Sequence, residues 1–169
     1  MKKIINNHNM KIIENEPVEN KQKCNCRNKE RCPLMGLCLE REIVYQATIT
    51  SNQPAYKEKV YLGISEDSFK TRYGNHKQSF KYTTNRYKTE LSKEYWKIKD
   101  KKFVPNVTWK IIRKCLPFNP NIKKCHLCLS EKLEIALYEG DNLLNKKTEL
   151  ISKCRHKNKF TLLRHDSKD

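Results

Sequence analysis

No stretch of this chain approaches the about 20 consecutive apolar residues that a membrane span requires. The first residues, MKKIINNHNMKIIENEP, start positively but contain no apolar core and no small-residue cleavage site, which reads against a secretory signal. Acidic residues are scarce: 19 against 36 basic ones, for a net charge of +17. That surplus exceeds what solubility needs and favours a polyanionic partner, nucleic acid before any other. Glycine is scarcer still, with four in 169 residues. With the abundance of Lys and Asn, this points to a compositional bias behind part of the charge. Hydrophobic residues make up 37%, enough for one small core and its appendages.

Cysteine is not scarce. Eight are present, and a chain without a secretory signal keeps them reduced, where metal binding outranks disulfides. Four fall within fifteen residues in the pattern Cys24-x-Cys26-x5-Cys32-x5-Cys38, with Pro33 and Gly36 as turn residues. Four thiolates at this spacing suit one tetrahedral zinc. A second set pairs the knuckle Cys125-x2-Cys128 with Cys154-x-His156, and His126 stands as a substitute ligand. Cys115 is left over and reads as a core thiol.

Periodicity divides the chain into four parts. Residues 1–22 are Asn- and Lys-rich without periodicity and read as a disordered tail. Residues 23–40 are the cysteine module, 41–150 a catalytic-sized domain, and 151–169 a basic tail. Residues 42–50 and 60–64 are rich in β-formers and predict a hairpin with a long loop through Ser51-Asn52-Gln53-Pro54. Ser65 is the expected N-cap of a helix, with Glu66 and Asp67 in its first turn. Phe69, Tyr73, His76 and Phe80 share one stripe of that helix, and Arg72 sits at its edge, four residues before His76. Thr89 is expected to cap a short helix through Trp96, closed by the lysine-rich run 97–102. Residues 106–112 alternate as a third strand, and Pro117 and Pro120 bound a loop. A last helix is expected from Ser130 to about Tyr138. Its apolar face is expected to be Leu129, Leu133, Ala136 and Leu137, its second side Ile135, Tyr138 and Glu131, and Gly140 its C′ residue. The expected fold is α/β: a small three-stranded, mainly antiparallel sheet flanked by helices and preceded by a zinc module.

Five ordered blocks then carry a resemblance. Ile43-Val44-Tyr45 and Tyr61-Leu62-Gly63 resemble the two signature tripeptides of the GIY-YIG endonuclease family, with Ile43 where Gly is usual and Leu62 where Ile is usual. Arg72-x3-His76 is similar to the family's helix motif. Glu131, with Asn145 fourteen residues later, is similar to its metal-binding Glu and late Asn. The cysteine run 24–39, Phe69-Lys70-x-Arg72-x2-Asn75-His76-x2-Ser79-Phe80, Thr89-x-Leu91-Ser92-x3-Trp96, Cys125-x-Leu127-Cys128-x2-Glu131-Lys132 and Cys154-Arg155-His156-x2-Lys159-Phe160 resemble the endonuclease domain of Penelope-like retroelements. The resemblance covers residues 23–162.

It implies a metal-dependent DNA endonuclease that exposes a 3′-hydroxyl for reverse transcription. The implied catalytic residues are Tyr45, Tyr61, Arg72, His76, Glu131 and Asn145. Glu131 is implied to hold Mg²⁺ or Mn²⁺, and zinc to be structural. DNA is the implied partner, then retroelement RNA or a reverse transcriptase, with no membrane, and the implied location is the nucleus, or the cytoplasm before import. A chain of this length has no room for a reverse transcriptase, so it reads as a fragment of a larger protein or a stand-alone derivative. The chemistry agrees. Hydrolysis needs an activated water, neutralised phosphoryl oxygens and a stabilised leaving oxygen. Mg²⁺ is content with one carboxylate and phosphate oxygens. Arg72 offers a planar fork to phosphate. Tyr45 is expected to have a lowered pKa and to accept the water proton, with Tyr61 or His76 positioning that water.

Taken one at a time, each residue has a plainer role: strand aromatics at Tyr45 and Tyr61, a surface Arg72, a satisfied core His76, a first-turn Glu131, a turn Asn145. Two other functions compete as well. One is a zinc-containing nucleic-acid-binding protein with an inactive nuclease fold. The other is a repair or defence nuclease of the same chemistry.

Overall fold

A computed structural model describes residues 22–118, 125–146 and Cys154. The expected tail, apart from Gln22, and the basic C-terminal segment including Arg155 and His156 lie outside the described residues, as does Pro120.

The sheet has three antiparallel strands, β1 (Ile43–Ser51), β2 (Lys59–Ser65) and β3 (Pro105–Lys114), in the order β2-β1-β3. The strands run one or two residues past their expected ends. Side chains alternate across a strand, so β1 sends Ile43, Tyr45, Ala47 and Ile49 to one face and Val44 to the other, all fully buried. The pairing with β3 shifts register between Val44 and Tyr45. This places Ile111 against the first face and Ile112 against the second. The long hairpin loop is tied down by Asn52, whose Oδ1 accepts the Val104 N–H at 2.8 Å.

The first face is covered by α1 (Phe69–Lys81) and α2 (Glu90–Asp100). Ser65 does not cap α1. It ends β2, and its hydroxyl donates to Asp67 O at 2.7 Å. The cap is Ser68, three residues on, so Glu66 and Asp67 precede the helix rather than fill its first turn. The cysteine module closes the same end: Phe69 N–H donates to Glu40 O at 2.9 Å and Lys70 N–H to Cys38 O at 2.7 Å. These are two of the donors a helix N-terminus leaves unpaired. Leu34 of the module is itself part of the main core, and Leu37 packs against it. Residues 23–40 are therefore built into the sheet-and-helix unit.

Thr89 caps α2 in a reciprocal box with Ser92. The helix runs to Asp100, one turn past the expected Trp96, because Ile98 is also buried. Trp96 Nε1 donates to Ser79 O at 2.8 Å, locking α2 to α1.

The second face receives α3 (His126–Leu137), which packs on Val44, Val60 and Leu62 through Leu127, Cys128 and Ile135. It begins four residues before the expected Ser130, with Cys125 as N-cap. The expected apolar face is not the packed one: Leu129, Leu133 and Leu137 are 58%, 47% and 67% exposed. The helix is rotated by its first turn. Cys125 and Cys128 both point inward, and the stripe seven residues on from Cys128 brings Ile135 to the sheet. The helix ends at Tyr138, which is in extended conformation. Gly140 is not a left-handed C′ residue. A Cβ there would lie 2.5 Å from Tyr138 Cε1, so it serves a close approach.

The chain then runs beside the outer edge of β2. Val60 N–H donates to Asn142 O at 2.9 Å, and Leu144 N–H to Val60 O at 2.7 Å. Asn145 continues the ladder with its side chain, accepting the Leu62 N–H at 2.7 Å and donating to Leu62 O at 2.8 Å.

Candidate active site and thiol clusters

Between α1, the start of α2 and the inner side of α3 lies an open cleft of about 730 Å³. Tyr61, Arg72, His76, Glu131 and Asn145 all line it. β2 supplies Tyr61, α1 supplies Arg72 and His76, α3 supplies Glu131, and the edge segment supplies Asn145. Of the six expected catalytic residues, five reach the cleft wall, and Tyr45 lies directly behind them.

Tyr45 is fully buried. Its cross-strand neighbour is Gly63, and a Cβ there would stand 2.5 Å from Tyr45 Oη. Only glycine leaves room for the phenol. A glycine inside a strand marks such an approach, so this partner was open to sequence reasoning. Tyr45 Oη lies 2.7 Å from His76 Nε2 and 3.1 Å from Arg72 Nε. Arg72 Nε can only donate, so the Tyr45 oxygen accepts from it and Tyr45 gives its own proton to His76 Nε2. His76 is then the tautomer protonated on Nδ1. Burial, then the nearby Arg72 charge, lower the imidazole to about 3, so it is neutral at physiological pH.

Tyr45 does not have the lowered pKa expected of it. Burial raises it, Tyr61 and Glu131 add to the rise, and Arg72 only partly opposes them. Burial also works against the Arg72 charge, but the phenols of Tyr45 and Tyr61 outweigh it and hold the guanidinium charged. Tyr61 interacts electrostatically with Arg72 as well. The result is a chain of contacts, Tyr61 to Arg72 to Tyr45 to His76, walled by Trp109, whose ring centroid lies 5.1 Å from that of His76 and 5.8 Å from that of Tyr45. Trp109 was not singled out from sequence, although its place in the alternation of β3 puts it on the inner face.

Around this chain the cleft carries Arg72, Lys88, Lys132 and Lys146 against Glu90 and Glu131. The balance suits a phosphate backbone. Glu131 offers a hard oxygen donor in the same cleft as the guanidinium, a donor type that suits Mg²⁺ or Mn²⁺. Asn145 faces the same space, but both ends of its amide hold Leu62, so it fixes β2 and hence Tyr61.

The four N-terminal thiols converge. Cys24 and Cys32 Sγ are 3.8 Å apart, Cys26 and Cys38 3.6 Å, and Cys24 and Cys38 3.6 Å. Disulfide sulfurs would be about 2.05 Å apart. A tetrahedron of zinc–thiolate bonds of about 2.3 Å has sulfur–sulfur edges of about 3.8 Å. The cluster fits zinc. Burial pushes Cys32 up, but hydrogen bonds from the backbone N–H groups of Gly36 and Leu34 and from the Cys24 and Cys38 thiols together outweigh it and bring the thiol to about 7. Burial and the neighbouring Cys24 and Cys26 push Cys38 up to about 12.

Cys125, Cys128 and Cys154 form a second group, with their sulfurs all within 4.8 Å of one another. Cys128 N–H donates to Cys125 Sγ at 3.5 Å, the turn expected of a knuckle. These three thiols could hold a metal ion. The expected fourth ligand, His156, lies outside the described residues, and the substitute, His126, is exposed at the start of α3. Cys115 is partly buried against this group, as expected of a core thiol.

Compared with protein-family models, curated proteins and solved structures, the chain matches none.

Proposed function

We propose that this chain is a divalent-metal-dependent DNA endonuclease of the GIY-YIG type, similar to the endonuclease domain of Penelope-like retroelements. One observation carries the reading. Tyr61, Arg72, His76 and Glu131, drawn from three elements, line a single basic cleft, with Tyr45 hydrogen-bonded behind them. A plain set of strand aromatics and surface charges has no reason to converge this way.

In this reading the roles divide by position. Arg72 binds a non-bridging phosphate oxygen. Tyr45 and neutral His76 hold the guanidinium in place, because Tyr45 has no exposed surface from which to meet water. Tyr61, on the same cleft wall as Arg72, would give its own proton to solvent and, as the phenolate, take the proton of the attacking water. The water oxygen bonds to phosphorus, the bond from phosphorus to the 3′-oxygen breaks, and that oxygen takes a proton from solvent in the open cleft to leave as a 3′-hydroxyl. Glu131 would hold Mg²⁺ or Mn²⁺, which supplies charge neutralisation at the phosphate and the leaving oxygen. The two thiol clusters would hold structural zinc. In a retroelement the 3′-hydroxyl would prime reverse transcription.

Supercoiled plasmid incubated with pure protein and Mg²⁺ should be nicked or linearised. Glu131→Gln should abolish cleavage and leave DNA binding in place. Undiminished cleavage by Glu131→Gln would overturn the assignment. Binding without any cleavage by the wild type would move the protein to the non-catalytic reading.

A further inference from the structure

The rim of the cleft carries a feature that hydrolysis does not use. Residues 82–88 join α1 to α2 through a short 3-10 turn, Thr83–Asn85. They end at Lys88, which lines the cleft. Two tyrosines stand out from this loop: Tyr87 is 70% exposed and Tyr82 49%. Each has a cation beside its ring. Arg86 lies over Tyr87 at 5.2 Å, and Lys81 over Tyr82 at 5.2 Å. Arg86 is itself held, paired with Asp100 and lying over Trp96 at 5.7 Å. Tyr87 is therefore backed by a fixed guanidinium, with most of its ring in solvent.

Exposed aromatic rings interleaved with cations are how proteins hold unpaired nucleotides: the cations follow the backbone and the rings stack on bases. A base inside a duplex offers only its edges, because its faces are covered by its neighbours. A tyrosine ring can stack only on a base that has left the helix. Lys88 follows Tyr87 by one residue, about 3.8 Å along the chain, so a base on Tyr87 would be close to the backbone entering the cleft.

Resting on the nuclease reading above, we propose that residues 81–88 form a stacking platform, with Tyr87 as its main ring, Arg86 as the fixed support behind it, and Lys81 and Lys88 as its backbone contacts. It selects DNA with an unpaired nucleotide beside the phosphate in the cleft. The substrate class is then a junction of single- and double-stranded DNA, such as a flap, gap or bubble, in preference to continuous duplex.

The test is a binding titration with the full chain carrying Glu131→Gln, in buffer with Ca²⁺ in place of Mg²⁺. One duplex is fully paired. The other has the same sequence with a short unpaired stretch containing 2-aminopurine. The junction should bind more tightly, and the 2-aminopurine fluorescence should be quenched on binding. Tyr87→Ala should weaken junction binding by about tenfold to a hundredfold, the range for one lost base–aromatic stack. It should also remove the quench and leave duplex binding unchanged. Tyr87→Phe should restore both, since the ring and not the hydroxyl is required. Equal affinity for the two DNAs would overturn the platform, as would junction binding that survives Tyr87→Ala. Both readouts are independent of cleavage. A protein that prefers the junction but never cuts would sink the nuclease reading and keep the platform. One that cuts both DNAs equally would do the reverse.

Discussion

The two thiol clusters occupy equivalent places and are built differently. Each closes the N-terminus of a helix that carries a residue of the cleft. The first group ends in Cys38, whose carbonyl accepts from Lys70 two residues before Arg72. The second opens with Cys125, the N-cap of the helix bearing Glu131. The first takes four thiols from one short stretch, and its last thiol is fully buried beside the main core. The second joins a knuckle to Cys154, from a distant part of the chain, and has three thiols among the described residues. A local cluster acts as a foundation: it fixes where α1 starts. A cluster assembled from two segments acts as a clamp: it fixes how α3 is rotated, and so where Glu131 points.

That contrast predicts unequal losses. Structural zinc contributes about 10 kcal/mol or more in small domains at pH 7. A whole domain is stable by only about 5–15 kcal/mol. Cys38→Ser should therefore lose one equivalent of zinc and unfold the sheet-and-α1 unit together with the module, since Leu34 and the caps of α1 go with it. Cys154→Ser should keep a cooperative melt, lowered by less, and lose cleavage through a misdirected Glu131. Elemental analysis beside thermal melts reads both. If Cys38→Ser melts like the wild type, the module is an appendage and not a foundation. If Cys154→Ser loses neither metal nor activity, the second group is only three core thiols.

The same contrast explains what could be read from the sequence. The first cluster was legible because its cysteines are neighbours in the chain. The strands and α2 were legible because alternation and the Thr89 cap are local signals. The start of α1 was not. Ser65 and Ser68 are both good caps by composition, and the choice was made by Glu40 and Cys38 carbonyls far away in sequence. The packed face of α3 was misread for a similar reason. Leu129, Leu133 and Leu137 make the stronger stripe on paper, but the thiols at the start of the helix decide its rotation. In the candidate site, the residues that share one cleft were legible and their burial was not. Burial, which only packing sets, raises Tyr45 where a lowered phenol was expected. The double engagement of Asn145 with Leu62 is equally invisible without the edge of β2.

On the α1 side, pH offers a sharper test of the foundation. His76 has a folded pKa depressed to about 3 from an ordinary 6.5. Between these values the unfolded chain binds the proton and the folded one does not, so stability rises with pH. The contribution is fully present above about 6.5 and is lost as pH falls toward 3. At pH 5 the loss is about 2 kcal/mol, at roughly 1.36 kcal/mol per pH unit. Melts of the wild type at pH 7.5 and pH 5 should show this, and His76→Gln should lack that part of the drop. An equal drop in both proteins would mean that His76 is protonated in the fold and that Tyr45 does not donate to it.

The smallest effect concerns the clamp. If the thiols of the second cluster set the rotation of α3, its exposed leucines contribute little to the fold of this chain. Leu133→Lys and Leu137→Lys should each change stability by no more than about 0.5 kcal/mol, as surface substitutions do. Ile135→Ala, on the buried side among Val60 and Leu62, should cost about 2–5 kcal/mol. The three variants change the same helix within five residues, so helix propensity alone cannot produce the contrast. Denaturant melts of all three decide the matter. A large loss at Leu133 with none at Ile135 would mean that α3 packs on the opposite stripe, turning Glu131 away from Arg72 and dismantling the cleft on which the catalytic reading rests.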